Sequence, residues 1–145
     1  MNCKLETKRK GFTLLELLVV ITIIGLLSSV GLASYTRAQA RARDAKRQSD
    51  LTTLRNALEL YYSENNFYVN TGGACTAVET SLAPLVPDFT KQLPTDPGGQ
   101  GLPYLYCGSS QDYCLQAKLE AVTAVQSTCT APLQGGGYNY GVGNP

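Results

Sequence analysis

The chain has 145 residues, about one domain's worth, and 12 Lys and Arg against 11 Asp and Glu leave a formal charge of +1. Near-neutrality excludes a histone-like polycation and an acidic tail protein, and an apolar content of 43% excludes a disordered chain. There is no histidine, so the usual general base and the commonest metal ligand are both missing, and no catalytic residue, metal site or cofactor is expected.

Residues 1–11 carry Lys4, Lys8, Arg9 and Lys10 against Glu6, a net +3. An apolar run follows from Phe12 to Ala33, and the stretch from Leu17 to Thr36 holds twenty consecutive uncharged residues. That is long enough to span a bilayer, which needs ~20 residues. Positive charge before the span keeps the N-terminus in the cytoplasm and sends the remainder outward. Two bland readings are a signal peptide cleaved before Ser34 and a plain uncleaved anchor. The run is longer than a signal peptide's apolar core, however, and Glu16 sits inside it, a charge for which neither reading has a use.

The segment KRKGFTLLELLVVITIIGLL resembles the N-terminus of type IV pilins and of the pseudopilins of type II secretion and competence systems. The resemblance covers about 25 residues, and its combination of basic leader, Gly-Phe-Thr-Leu-Leu-Glu and apolar run is specific. It implies that Gly11 ends a leader removed by the prepilin peptidase and that Phe12 is the new, N-methylated terminus. Glu16 then becomes the register-setting carboxylate that pairs with the terminal amine of a neighbouring subunit. It also implies the family fold: an α+β, type IV pilin-like chain in which a long N-terminal helix packs on a small antiparallel sheet. The partners implied are identical or related pilin subunits in a helical filament, the peptidase/methyltransferase, an inner-membrane assembly platform, and the lipid bilayer before assembly. A head-to-tail contact repeated with a rise and a rotation gives an open filament rather than a ring.

Four segments are expected: leader 1–11, apolar assembly helix 12–34, amphipathic continuation 35–66 and globular head 67–145. Before assembly the head lies outside an inner-membrane span; afterwards it belongs to a surface pilus or a periplasmic pseudopilus. Leu51, Leu54, Leu58, Tyr61 and Tyr62 recur at helical spacing, so one face of the continuation packs on the head. Gly25 and Gly31 mark points where the helix is weak, since glycine is a poor helix former. The family's proline in this region is absent.

Residues 37–55 carry a net +4 from Arg37, Arg41, Arg43, Lys46, Arg47 and Arg55 against Asp44 and Asp50, whereas the chain from residue 56 onward is net −5. The basic stretch reads as a solvated face beside anionic lipid headgroups, or as a surface complementary to the acidic head of a neighbour. Nucleic acid is the weakest partner, left to the assembled filament, because no aromatic residues interleave the basic ones.

In the head, a short helical piece is expected around Leu82–Leu85. A hairpin is expected from Pro103–Cys107 and Tyr113–Glu120, with a third strand within Ala121–Cys129. The Leu93-Pro94-Thr95-Asp96-Pro97 segment is similar to the approach to the sheet in secretion pseudopilins. Asp96 and Asp112 are too few and too far apart for a calcium site and read as turn formers. The closing GGGYNYGVGNP reads as a flexible or surface-draped tail. Removing the leader removes Cys3 and leaves Cys75, Cys107, Cys114 and Cys129, an even set that pairs in an oxidising compartment. Three connectivities exist; the hairpin favours Cys107 with Cys114, leaving Cys75 with Cys129. The function expected is a structural subunit of a type IV pilus-like filament, with a pseudopilin of a secretion or competence system as the alternative and a membrane-anchored binding module behind both.

Overall fold

A computed structural model of the chain describes residues 11–98, 101–130 and 132–144. Residues 1–10, which hold Cys3 and the basic residues of the expected leader, lie outside the described residues. Helix α1 spans Leu14–Asn65, followed by strand β1 (Cys75–Ala77), helix α2 (Val78–Ser81) and a 3-10 turn (Ala83–Leu85). Strands β2 (Leu105–Gly108), β3 (Tyr113–Ala117), β4 (Gln126–Ser127) and β5 (Tyr140–Gly143) complete the sequence of elements. The architecture is therefore α+β, a long N-terminal helix and a sheet in which all pairs but one are antiparallel. By its internal contacts the chain divides into two compact units, split between Arg37 and Ala38.

In the first unit α1 is continuous through Gly25 and Gly31. Thr22 Oγ1 donates to the Val19 carbonyl and Ser29 Oγ to the Leu26 carbonyl, both at 2.8 Å. The two hydroxyls are thereby satisfied on their own helix, as an apolar environment requires.

In the second unit α1 buries Asp44, Arg47, Asp50, Leu51, Leu54, Ala57 and Leu58. Steps of three and four residues place these on one stripe of a helix. The stripe meets Val78, Leu82, Leu85, Tyr104, Tyr106, Tyr113, Leu115 and Ala117 in one core. The helix ends with Asn66 at φ 62°, and the Asn66 N–H donates to the Tyr62 carbonyl at 2.8 Å. Asparagine tolerates that left-handed conformation better than other side chains do.

The expected hairpin is present: β2 and β3 pair antiparallel with Leu105 opposite Gln116 and Gly108 opposite Tyr113. The strand order is β1-β2-β3-β5-β4, which corrects two expectations. The third strand reduces to Gln126–Ser127, and the closing segment is not a loose tail, because β5 lies between β3 and β4, antiparallel to one and parallel to the other. Its glycines act by close approach rather than by flexibility. A Cβ on Gly141 would come within 2.5 Å of Leu133 Cδ2 and 3.0 Å of Cys129 Sγ, and one on Gly143 within 3.0 Å of the Thr128 carbonyl oxygen.

The disulfide pairing is also corrected: Cys75 bonds Cys107, and Cys114 bonds Cys129. Cys107 faces Cys75 on one side and Cys114 on the other, so sequence proximity alone does not choose between them. The direction of the backbone does. The Gly108 N–H and carbonyl both engage Thr71, on the β1 side, so the main-chain groups of Cys107 point to β3. Cys107 and Cys114 thus form the wider, hydrogen-bonded kind of pair, about 5.5 Å between Cα atoms. Cys75 and Cys107 form the closer kind, with Cα atoms 4.2 Å apart. Cys114 reaches Cys129 over the bare face of Gly143, its own register partner on β5.

The reading of the basic stretch changes most. Arg47 is fully buried, and all three of its guanidinium nitrogens face acceptors. Nε donates to Asp96 Oδ1 at 2.5 Å, and Nη1 serves Asp44 Oδ1 and Glu120 Oε1, each at 2.8 Å. Nη2 donates to Asp96 Oδ2 at 3.1 Å and to the Gly98 carbonyl at 2.7 Å. Arg43 forks onto both oxygens of Glu120. Asp44 in turn accepts the backbone N–H groups of Glu120 and Ala121. The surplus of acid around Arg47 is thereby spread over neutral donors. Arg43 and Arg47 therefore belong to an internal clasp between α1 and the head loops, while Arg37 and Arg41 stay exposed. Asp96, read as a turn former, is one jaw of that clasp.

Candidate functional site

Gly11 and Phe12 precede α1 in irregular, exposed backbone, and Phe12 is 90% exposed. The helix opens with Thr13-Leu14-Leu15-Glu16. The Thr13 N–H and Thr13 Oγ1 both donate to Glu16 Oε2 at 3.0 Å, and the Glu16 N–H donates to Thr13 Oγ1 at 3.2 Å. This is a capping box, in which the residue before the helix and the third helical residue satisfy each other's backbone donors. The sequence carries it as a T-x-x-E spacing, in which Thr13 supplies the partner that the charge of Glu16 lacks in the apolar run. The box occupies one oxygen of the carboxylate. A carboxylate has about four lone-pair sites, and among the described residues no hydrogen bond engages Oε1, so a further donor can be taken there while the cap stays closed.

From Leu14 to Leu27 the apolar side chains point outward all round the helix. Leu14, Leu15, Leu17, Ile21, Leu26 and Leu27 are each more than half exposed. A helix apolar on every side is stable only in lipid or among other helices. By length and composition this is a helix able to cross a membrane. A Cβ on Gly25 would meet nothing within 4 Å, so its lack of a side chain is not required by packing in the single chain. Gly31 lies within the same unbroken helix.

Cys75, Cys107 and Cys114 lie on strands of the sheet, and Cys129 follows β4. Asp112 accepts the Tyr113 N–H at 2.8 Å within the β2–β3 turn, and Asp96 is committed to Arg47. Among the described residues no group of three or more His, Cys, Asp or Glu is placed to hold a metal ion.

A Gly-Phe-Thr-Leu-Leu-Glu segment, a capped N-terminal helix with an exposed apolar surface, and an α+β head together define a prepilin-type subunit. The family model described as "Prokaryotic N-terminal methylation motif" matches residues 7–32. Type II secretion system core protein G of Escherichia coli is 39% identical over 99 residues, covering 63% of this chain and 68% of that protein. The Vibrio cholerae protein of the same name is 34% identical over 109 residues, 70% of this chain and 73% of its own length. The chain belongs to this family of secretion core proteins. Type IV major pilin protein PilA of Myxococcus xanthus is 31% identical over 65 residues, 45% of this chain but 30% of the pilin. No solved structure matches the chain. The relatives are structural subunits, and both the pilus reading and its secretion alternative are consistent with them.

Proposed function

We propose that the chain is the building subunit of a secretion-type pseudopilus. In this reading it is made as a prepilin, inserted with residues 1–11 inside, cut after Gly11, N-methylated on Phe12 and polymerised through residues 12–34. The peptidase/methyltransferase and an inner-membrane platform act on it before assembly. The observation that carries this reading is the apolar surface from Leu14 to Leu27, exposed all round and opened by the Thr13–Glu16 box directly after Gly11-Phe12. Cleavage creates an ammonium on Phe12, and the unengaged Glu16 Oε1 of another copy is an acceptor for it. In an apolar bundle such a pair selects one register, because any other leaves charge unpaired. Secretion is placed ahead of the surface pilus because the core protein G relatives match over about two thirds of their length, head included, whereas the pilin match covers less than a third of the pilin.

Mass spectrometry of the chain purified from membranes tests the processing, with N-methyl-Phe12 expected at the N-terminus; a terminus at Ser34 would overturn it. Deleting the gene is expected to stop export of secreted proteins while surface pili persist, and the reverse phenotype would restore the pilus reading.

A further inference from the structure

On the face of the sheet turned away from α1, Cys75, Cys107 and Cys114 occupy one lateral row across β1, β2 and β3. The row continues to Gly143 on β5, and the bare backbone there lets Cys129 reach Cys114. The four sulfurs are thus strung in the order 75, 107, 114, 129, with a bond at each end and none in the middle. The two inner sulfurs share a neighbour: Gln116 Nε2 lies 3.3 Å from Cys107 Sγ and 3.5 Å from Cys114 Sγ. Both inner cysteines also line a cavity of about 220 Å³ at the β2–β3 turn, together with Gly73, Ser109 and Asp112. That volume exceeds several waters' share at ~30 Å³ each and admits a small thiol.

We propose that the two disulfides form a single thiol–disulfide exchange site, in which Cys107 and Cys114 bond each other as an intermediate. Exchange proceeds by attack of a thiolate on one sulfur of a disulfide, with the other sulfur leaving. The linear order of the cysteines supplies the approach, since strands about 4.8 Å apart set the attacking, central and leaving sulfurs side by side in sequence. An external dithiol first reduces Cys114–Cys129, itself becoming a disulfide and leaving two protein thiols. The Cys114 thiolate then attacks Cys107 Sγ. The Cys107–Cys114 bond forms, the Cys75–Cys107 bond breaks, and its electron pair leaves on Cys75, which takes a proton from water. This second step is an isomerisation and needs no redox partner. The electrons of one dithiol thereby release both flanks of the sheet, β1 and the segment after β4, while the hairpin stays crosslinked. Run backwards, the same step carries the short-loop pair to the native connectivity through Cys75.

The test is peptide mapping of the full chain after limiting dithiothreitol, acid quench and alkylation. The expected product is the tryptic peptide 92–118 with an internal Cys107–Cys114 bridge, accompanied by alkylated Cys75 and Cys129. Two variants hold the site one step short at about pH 8.5, where an ordinary thiol is half ionised. In Cys129→Ser the free thiol of the head, counted apart from Cys3, is expected to be shared between Cys114 and Cys75; in Cys75→Ser it is shared between Cys107 and Cys129. Label confined to Cys114 in the first variant and to Cys107 in the second overturns the proposal. So does reduction of the wild type with no internally bridged 92–118 peptide.

Discussion

Replacing Arg47 by methionine removes the centre of the clasp while keeping most of the side chain's length. The guanidinium has no exposure, and its carboxylate partners Asp44, Asp96 and Glu120 retain 7%, 12% and 10%. Taking one partner from a buried ion pair costs roughly 3–5 kcal/mol, because the opposite charge stays behind. Water reaches the carboxylates slightly, so the lower end, about 3 kcal/mol, is expected here. For a folded unit of roughly a hundred residues, ~1 kcal/mol moves the melting point by about 4 °C, giving a fall of roughly 12 °C. The assay is thermal unfolding of the detergent-solubilised full chain, followed by near-ultraviolet circular dichroism of its nine tyrosines. Acid supplies a second readout. Arg43, then Arg47, hold the Glu120 carboxyl down from 4.5 to about 2. Its folded value is therefore below its unfolded one, so its stabilisation is complete above about 4.5 and is lost as pH falls towards about 2. Without Arg47 the acids repel one another, and protonation relieves them. The gap between wild type and Arg47→Met is thus expected to narrow as pH falls through 4.5. Arg47→Lys keeps the charge but concentrates its donors on one nitrogen where three guanidinium nitrogens are used, and it recovers only part of the loss. A variant within about 1 kcal/mol of wild type, or a gap independent of pH, would refute the reasoning.

Glu16→Ala is expected to leave membrane insertion intact and to reduce filament yield sharply, scored by in-cell crosslinking and immunoblot of the subunit ladder. Thr13→Ala opens the cap but keeps the carboxylate, and a smaller loss of yield is expected; equal losses would place the role of Glu16 in the cap alone. Gly141→Ala forces a methyl against Leu133 and Cys129 and should destabilise by about 1–3 kcal/mol in urea unfolding. Removing the Cys114–Cys129 bridge by paired serine substitution opens a loop of 15 residues and should lower stability by roughly 3 kcal/mol, with the urea midpoint falling accordingly.

Much of the function was written locally. The apolar run, the basic leader and Gly-Phe-Thr-Leu-Leu-Glu carry their meaning in contiguous residues, and the spacing of Leu51, Leu54 and Leu58 states a helix face without reference to anything distant. The hairpin around residues 108–112 was equally legible, since turn residues between two alternating segments determine their antiparallel pairing. The capping box was readable too, because four consecutive residues contain it.

What only the tertiary structure decided are matters of lateral and long-range neighbourhood. A run of arginines has the same composition whether it faces water or carboxylates 49 to 77 residues away, and closure of the head placed Asp96 and Glu120 against Arg47 and Arg43. A glycine-rich ending reads as freedom, although the same missing Cβ permits the close packing that β5 requires between β3 and β4. Cys107 has a neighbour on either side, and the direction of its backbone hydrogen bonds, which exists only once the sheet has formed, selected Cys75. Periodicity and short motifs are one-dimensional properties that a sequence carries whole; sheet order, buried charge and disulfide choice arise when distant segments meet.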